Sequence, residues 1–191
     1  MFDALFTTTT EYKKLSHALS GKGACALFGL PASGRAQVYA ALCRQLDKPL
    51  CIVTPGEAEA TRFAADLNTL GIPAAVFPAR DYVLRSIEGT AREYEYRRLA
   101  VLGELVGGRL RAVAVPAEAL TQFTTPKEDF CANTRTLHAG DTLLRDDLLA
   151  ALFGAGYTRR AQVDVQGRVA VLGAIVDIVA PEESMPVRMA F

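Results

Sequence analysis

A five-residue run fenced by prolines, Leu50-Cys51-Ile52-Val53-Thr54 between Pro49 and Pro55, sets the tightest limit on the fold. It is too short for a stable helix, and it has no polar alternation. That pattern suits a parallel strand buried on both faces. The following residues repeat the grammar. Residues 57–70 carry Phe63, Leu67 and Leu70 at helical spacing and meet Gly71, a C-terminal stop. Ala74 to Phe77 reads as a second strand before Pro78. Residues 91–106 give the clearest helix, ended by Gly107-Gly108, and residues 111–115 a strand leading through Pro116 into a short helix from Ala117. Residues 11–19 form a further short helix ahead of Gly21-Lys22-Gly23. Strand–helix alternation implies a parallel sheet with helices on both faces, an α/β architecture. With half of its 191 residues hydrophobic, the chain can bury such a core, as one large domain or one domain and part of another.

The run Phe28-Gly29-Leu30-Pro31-Ala32-Ser33-Gly34-Arg35-Ala36 has the frame of a phosphate-binding P-loop, G-x-x-x-x-G-K-[ST]. That motif needs backbone N–H groups around phosphates, a Lys for the β- and γ-phosphates and a Ser/Thr hydroxyl for Mg²⁺. Gly29 and Gly34 keep the spacing, but Arg35 replaces the Lys and Ala36 the hydroxyl. Pro31 removes an N–H. Cys25-Ala26-Leu27-Phe28 reads as a strand entering the loop, and residues 36–46 as the helix leaving it. The local pattern leaves two readings, a tight βα connection without a ligand and a vestigial P-loop. It argues against an active Mg²⁺-dependent NTPase.

After Thr124-Thr125-Pro126 the grammar changes. Thr136 to Ala139 reads as a strand and residues 143–153 as an amphipathic helix ending at Gly154. Three strands are expected at 160–165, 168–172 and 174–179, the first two joined in a hairpin by Gln166-Gly167, with one more beginning at Pro186. This is a small α+β domain with antiparallel pairing. The chain stops inside an apolar strand, as a piece of a longer protein would.

Charge and cysteine usage exclude more than they assign. Zero net charge does not call for nucleic acid or an anionic membrane as partner. The first ten residues have no basic start or long apolar run, so no signal segment is expected. Four cysteines without C-x-x-C spacing and two histidines do not suggest a zinc site. Cys25 and Cys51, in apolar runs, are expected to be buried free thiols of a cytoplasmic protein. Arg80-Asp81-Tyr82-Val83-Leu84-Arg85 could meet nucleic acid by stacking and phosphate contact, or form an ordinary solvated loop. Glu93 and Arg97 have i, i+4 helix-pair spacing. Arg159, Arg160 and Arg168 would lie close together across the expected hairpin, as protein-binding anchors or as plain solubilising charge. Asp177 reads as an exposed strand position or a sheet-edge charge rather than a catalytic acid.

Three stretches resemble one family: the glycine loop at 28–34, residues 92–105 followed by Ala112 to Leu120, and above all an ordered series in residues 143–191. That series runs Leu143-Leu144, Leu148-Leu149, Gly156-Tyr157, Val163, Gly167-Arg168, Gly173-Ala174-Ile175-Val176-Asp177-Ile178-Val179 and Pro186-Val187-Arg188-Met189-Ala190-Phe191. It resembles the N-terminal module of bacterial transcription-repair coupling factors (Mfd), itself similar to the first part of the excision-repair helicase subunit UvrB. The decayed loop favours the coupling factors over UvrB, and Leu172 stands where the family often has Arg. The resemblance implies a RecA-like half-domain over residues 1–125 and a UvrA-binding domain over 126–191, with no catalytic residues and no metal. It implies a non-functional loop at Gly29, Gly34 and Arg35, and UvrA contacts at Arg159, Arg160 and Arg168. RNA polymerase and double-stranded DNA would be met through other domains, and ATP and Mg²⁺ would serve a motor outside this chain. The rival readings are a UvrB-like ATP-dependent helicase subunit using Arg35, and an α/β binding domain unrelated to repair.

Overall fold

The computed structural model describes residues 6–21, 23–80, 91–181, 183 and 185–191. In chain order the elements are α1 (Thr10–Ser20), α2 (Ala32–Leu46), β1 (Leu50–Thr54), α3 (Glu57–Thr69), β2 (Ala74–Val76), α4 (Ala91–Val106), β3 (Ala112–Pro116) and α5 (Ala117–Leu120). There follow α6 (Lys127–Asn133), α7 (Arg145–Gly154), β4 (Thr158–Arg159), β5 (Arg168–Leu172), β6 (Ile175–Ile178) and β7 (Val187–Ala190). The chain divides into two compact units, Met1–Ala79 with Gly107–Gln122, and Arg80–Val106 with Phe123–Phe191. The final break, at 122/123, falls beside Thr124-Thr125-Pro126, while α4 groups with the later residues and not with the parallel sheet.

The first unit is a parallel sheet of order β1-β3-β2, with Leu50 to Thr54 in register with Ala112 to Pro116. β3 is central and alternates Ala with Val. Ala112 and Ala114 are fully buried in one cluster with Ala36, Ala40 and Cys43 of α2 and Ala60, Phe63 and Leu67 of α3. So many alanines let both helices lie close to the strands. Gly71 ends α3 as expected: at φ 75° it donates its N–H to the Asn68 carbonyl, and Ile72 N donates to Leu67 O. α1 packs on α2 through Tyr12, Val38, Ala41 and Leu42. The end of α2 is tied to the start of β3: Arg111 Nη1 donates to Asp47 Oδ1 at 2.7 Å and Nη2 to the Cys43 carbonyl at 2.9 Å.

Three expectations for this unit are corrected. Residues 25–28 are not a strand; they are exposed and outside the sheet, with Phe28 87% exposed. Both edges of β3 are already taken by β1 and β2, so this run has no place on the central strand. Cys25 and Cys51 are exposed thiols; the buried cysteine is Cys43, whose Sγ lies 3.4 Å from Arg111 O. Cys51 shares an uncovered face of β1 with exposed Val53, so the helical cover expected on both faces does not extend to this strand.

The second unit holds a four-stranded sheet of order β4-β5-β6-β7. Val169 and Val176 are fully buried, and Leu148 of α7 is buried as well. β5–β6 and β6–β7 are antiparallel as expected for this part of the chain. Three further expectations are corrected here. Thr136 to Ala139 is not a strand, and no strand covers 160–165. The short strand is β4, which pairs parallel to β5, so Gln166-Gly167 is not a hairpin turn; the hairpin is β5–β6, turning at Gly173 with φ 61°.

Candidate partner-binding face and the degenerate glycine loop

Proline builds the start of α2. Pro31 occupies its N-cap position at φ −65° and ψ 162°, so the helix begins at Ala32, four residues before the expected start. Ser33, Gly34 and Arg35 therefore belong to the first helical turn, and Arg35 N already donates to Pro31 O at 3.1 Å. What remains of the loop is the turn at Gly29, φ 81°. Arg35 is exposed, whereas Ala36 is 2% exposed and packed in the core with Ala40 and Cys43. The position that would carry the Mg²⁺ hydroxyl thus faces apolar side chains.

The arginines of the second unit meet around β4 and β5. Thr158 is in register with Arg168, and Arg159 with Val169. The Thr158 N–H donates to Gly167 O and the Arg160 N–H to Val169 O, both at 2.9 Å. Arg159 and Arg160 are exposed. Arg168 pairs with Asp164 at 2.5 Å. The expected closeness of Arg160 and Arg168 holds, but parallel pairing creates it.

Register and strand alternation gather one charged face that the sequence reading did not assemble. Ala170, Asp177 and Arg188 are direct cross-strand neighbours, and Arg168 lies two residues along β5 on the same face. Arg188 donates to Asp177 through Nε and Nη2, both at 2.8 Å, a bidentate fork. This hydrogen bond from Arg188 holds the Asp177 carboxyl below its ordinary value, against an upward push from burial. The available signal was the alternation in 175–178 and 187–190, which places Asp177 and Arg188 opposite each other once those strands pair. Arg145 Nη1 donates to Gly173 O at 2.9 Å and ties α7 to the β5–β6 turn.

α4 contributes further contacts within the second unit. Tyr96 lies against Gly167, and burial, followed by nearby Tyr96, raises the Tyr157 hydroxyl. Arg98 is 8% exposed and donates to Thr124 Oγ1 at 2.8 Å. Arg97 sits over the Tyr94 ring, 5.9 Å from its centroid. Arg80 pairs with Glu95, whereas the rest of the candidate basic segment, 81–85, lies outside the described residues. Among the described residues, no cluster of three or more His, Cys, Asp or Glu side chains could hold a metal, and no helix is long and apolar enough to cross a membrane.

Residues 136–191 match the UvrB interaction domain family. The chain is 33% identical to the transcription-repair-coupling factor of Mycobacterium bovis over 169 residues, 84% of this chain and 14% of that protein. It is 27% identical to the Bacillus subtilis transcription-repair-coupling factor over 165 residues, 85% of this chain and 14% of that one. Against UvrABC system protein B of Thermobifida fusca identity falls to 23% over 193 residues, 93% of this chain and 27% of the relative. The chain thus spans about a seventh of the coupling factors' length, and the resemblance read from residues 143–191 is shown. The chain is similar to the transcription-repair-coupling factors, and its residues 136–191 match the UvrB interaction domain family.

Proposed function

We propose that this chain is a non-catalytic recruiting module that binds UvrA in nucleotide excision repair, within a longer coupling factor that acts at stalled RNA polymerase. The observation that carries this reading is the match of residues 136–191 to the UvrB interaction domain, beside 33% identity to a coupling factor. In this reading residues 126–191 are the functional domain, and residues 1–125 are a RecA-like half-domain that has lost its nucleotide chemistry. The helical placement of Gly34 and the core placement of Ala36 support that loss, because neither leaves a phosphate cradle with a metal ligand. The ATP-driven motor, its Mg²⁺ and the contacts to RNA polymerase and double-stranded DNA belong to other parts of the longer protein, which acts in the cytoplasm.

In this reading UvrA meets the second unit through Arg159, Arg160 and Arg168, and the surface continues to Arg188, which shares the sheet face of Arg168. Strand spacing puts Arg168 and Arg188 on the order of 10 Å apart. Guanidinium forks at fixed spacing suit carboxylates on a partner. A pull-down of UvrA by the purified chain tests the reading: capture supports it, and absence of capture at micromolar concentrations refutes it.

A further inference from the structure

We propose that the cleft between α1 and α2 binds a small, multiply charged phosphate, free or as the phosphate end of a nucleotide. The cleft is open to solvent and measures about 670 Å³, within the volume range of small-molecule sites. Lys13, Ser16, His17 and Ser20 of α1 line it with Arg44 and Gln45 of α2. On α1 the spacing 13, 16, 17, 20 is a single helical face, and 44 and 45 fall on the facing side of α2. Among the described residues that line the cleft there is no carboxylate. Lys13 and His17 stand four residues apart, neighbours on that face. A polyanion between the two helices would meet the Lys13 ammonium and the Arg44 guanidinium with hydroxyl and amide donors beside them.

The walls have the packing a binding site needs. Tyr12 and Ser16 are each 5% exposed, and Tyr12 packs with Val38, Ala41 and Leu42 in the seam that holds the two helices together. Ser20 Oγ donates to the Ser16 carbonyl at 2.8 Å, and Arg44 donates to the Leu70 carbonyl, which ties this wall to the end of α3. The glycine loop contributes none of the lining, so the site is separate from the degenerate P-loop and does not depend on UvrA binding.

Calorimetric titration of the whole chain with inorganic triphosphate, with ATP in the absence of Mg²⁺, and with a single-stranded oligonucleotide tests the proposal. Saturable binding of triphosphate, ATP or both is expected, weakened about tenfold or more by Lys13→Glu and by His17→Glu. Lys13 and His17 are exposed, and circular dichroism spectra unchanged in Lys13→Glu and His17→Glu keep the comparison valid. Arg35→Ala, at the glycine loop, is expected to leave the affinity unchanged. Equal binding of triphosphate and ATP assigns recognition to the phosphates alone; tighter ATP binding assigns a nucleotide. The proposal is overturned by no binding at millimolar ligand, by binding of the oligonucleotide only, or by affinity lost in Arg35→Ala and retained in Lys13→Glu.

Discussion

The Tyr96 hydroxyl of α4 occupies the space where a Cβ on Gly167 would stand, and Gly167 holds φ 74°. A side chain at this position is opposed by the left-handed backbone and by the tyrosine ring together. Gly167→Ala is expected to lower stability by roughly 2–4 kcal/mol, the backbone contributing about 1 and overpacking the remainder. Tyr96→Ala in the same background should recover the overpacking part, so a double-mutant cycle in denaturant reads a coupling between the two positions.

Arg98 is nearly buried, yet it donates to Thr124 Oγ1 and to the Phe123 carbonyl at 3.5 Å. Arg98→Leu is expected to cost about 1–3 kcal/mol, because the acceptors at 123 and 124 lose a charged donor. Limited proteolysis should then cut faster around residues 123–126, and Thr124→Ala should show a weaker form of the same effect.

Asp177 gives the second sheet an acid-sensitive contact. Its folded carboxyl sits below the ordinary value of 3.8, chiefly because Arg188 donates to it. The unfolded chain therefore binds the proton first, and the contribution is complete above the ordinary value and lost as pH falls through the folded one. Denaturation midpoints measured from neutral into acid pH should fall less steeply for Asp177→Asn than for the parent. High salt should shrink the difference, since the pair is exposed at the Arg188 end.

Ala36 ties the lost nucleotide chemistry to the core. Ala36→Thr is expected to destabilise the first unit by about 1–3 kcal/mol, because the position packs against Ala40 and Cys43. It should not create Mg²⁺-dependent ATP hydrolysis, alone or with Arg35→Lys. Turnover above background in the double variant would contradict the reading of the loop.

The parts of the fold legible in the sequence are those set by local chemistry. Prolines at 49 and 55 bounded β1, and Gly71 closed α3 because only a left-handed stop fits there. Pairing was less legible because it depends on distant partners. Residues 25–28 have strand composition, but the neighbours of β3 are β1 and β2. Between β4 and β5 lie only the eight residues 160–167, short for a parallel connection, which is why a hairpin was expected. A two-residue β4 makes the parallel return feasible. For the candidate face, Arg160 and Arg168 could be placed together from sequence, whereas Arg188 joined Arg168 only through the register of three strands.

The central claim is that residues of the second unit recruit UvrA, and a UvrA titration of Arg159→Ala, Arg160→Ala and Arg168→Ala beside the parent chain tests it most directly. The account predicts that the parent binds, and that at least one variant loses about thirtyfold in affinity, ~2 kcal/mol, with circular dichroism unchanged. Arg44→Ala and Arg62→Ala in the first unit should bind as the parent does. No binding by the parent, or equal losses from arginines of both units, would contradict it.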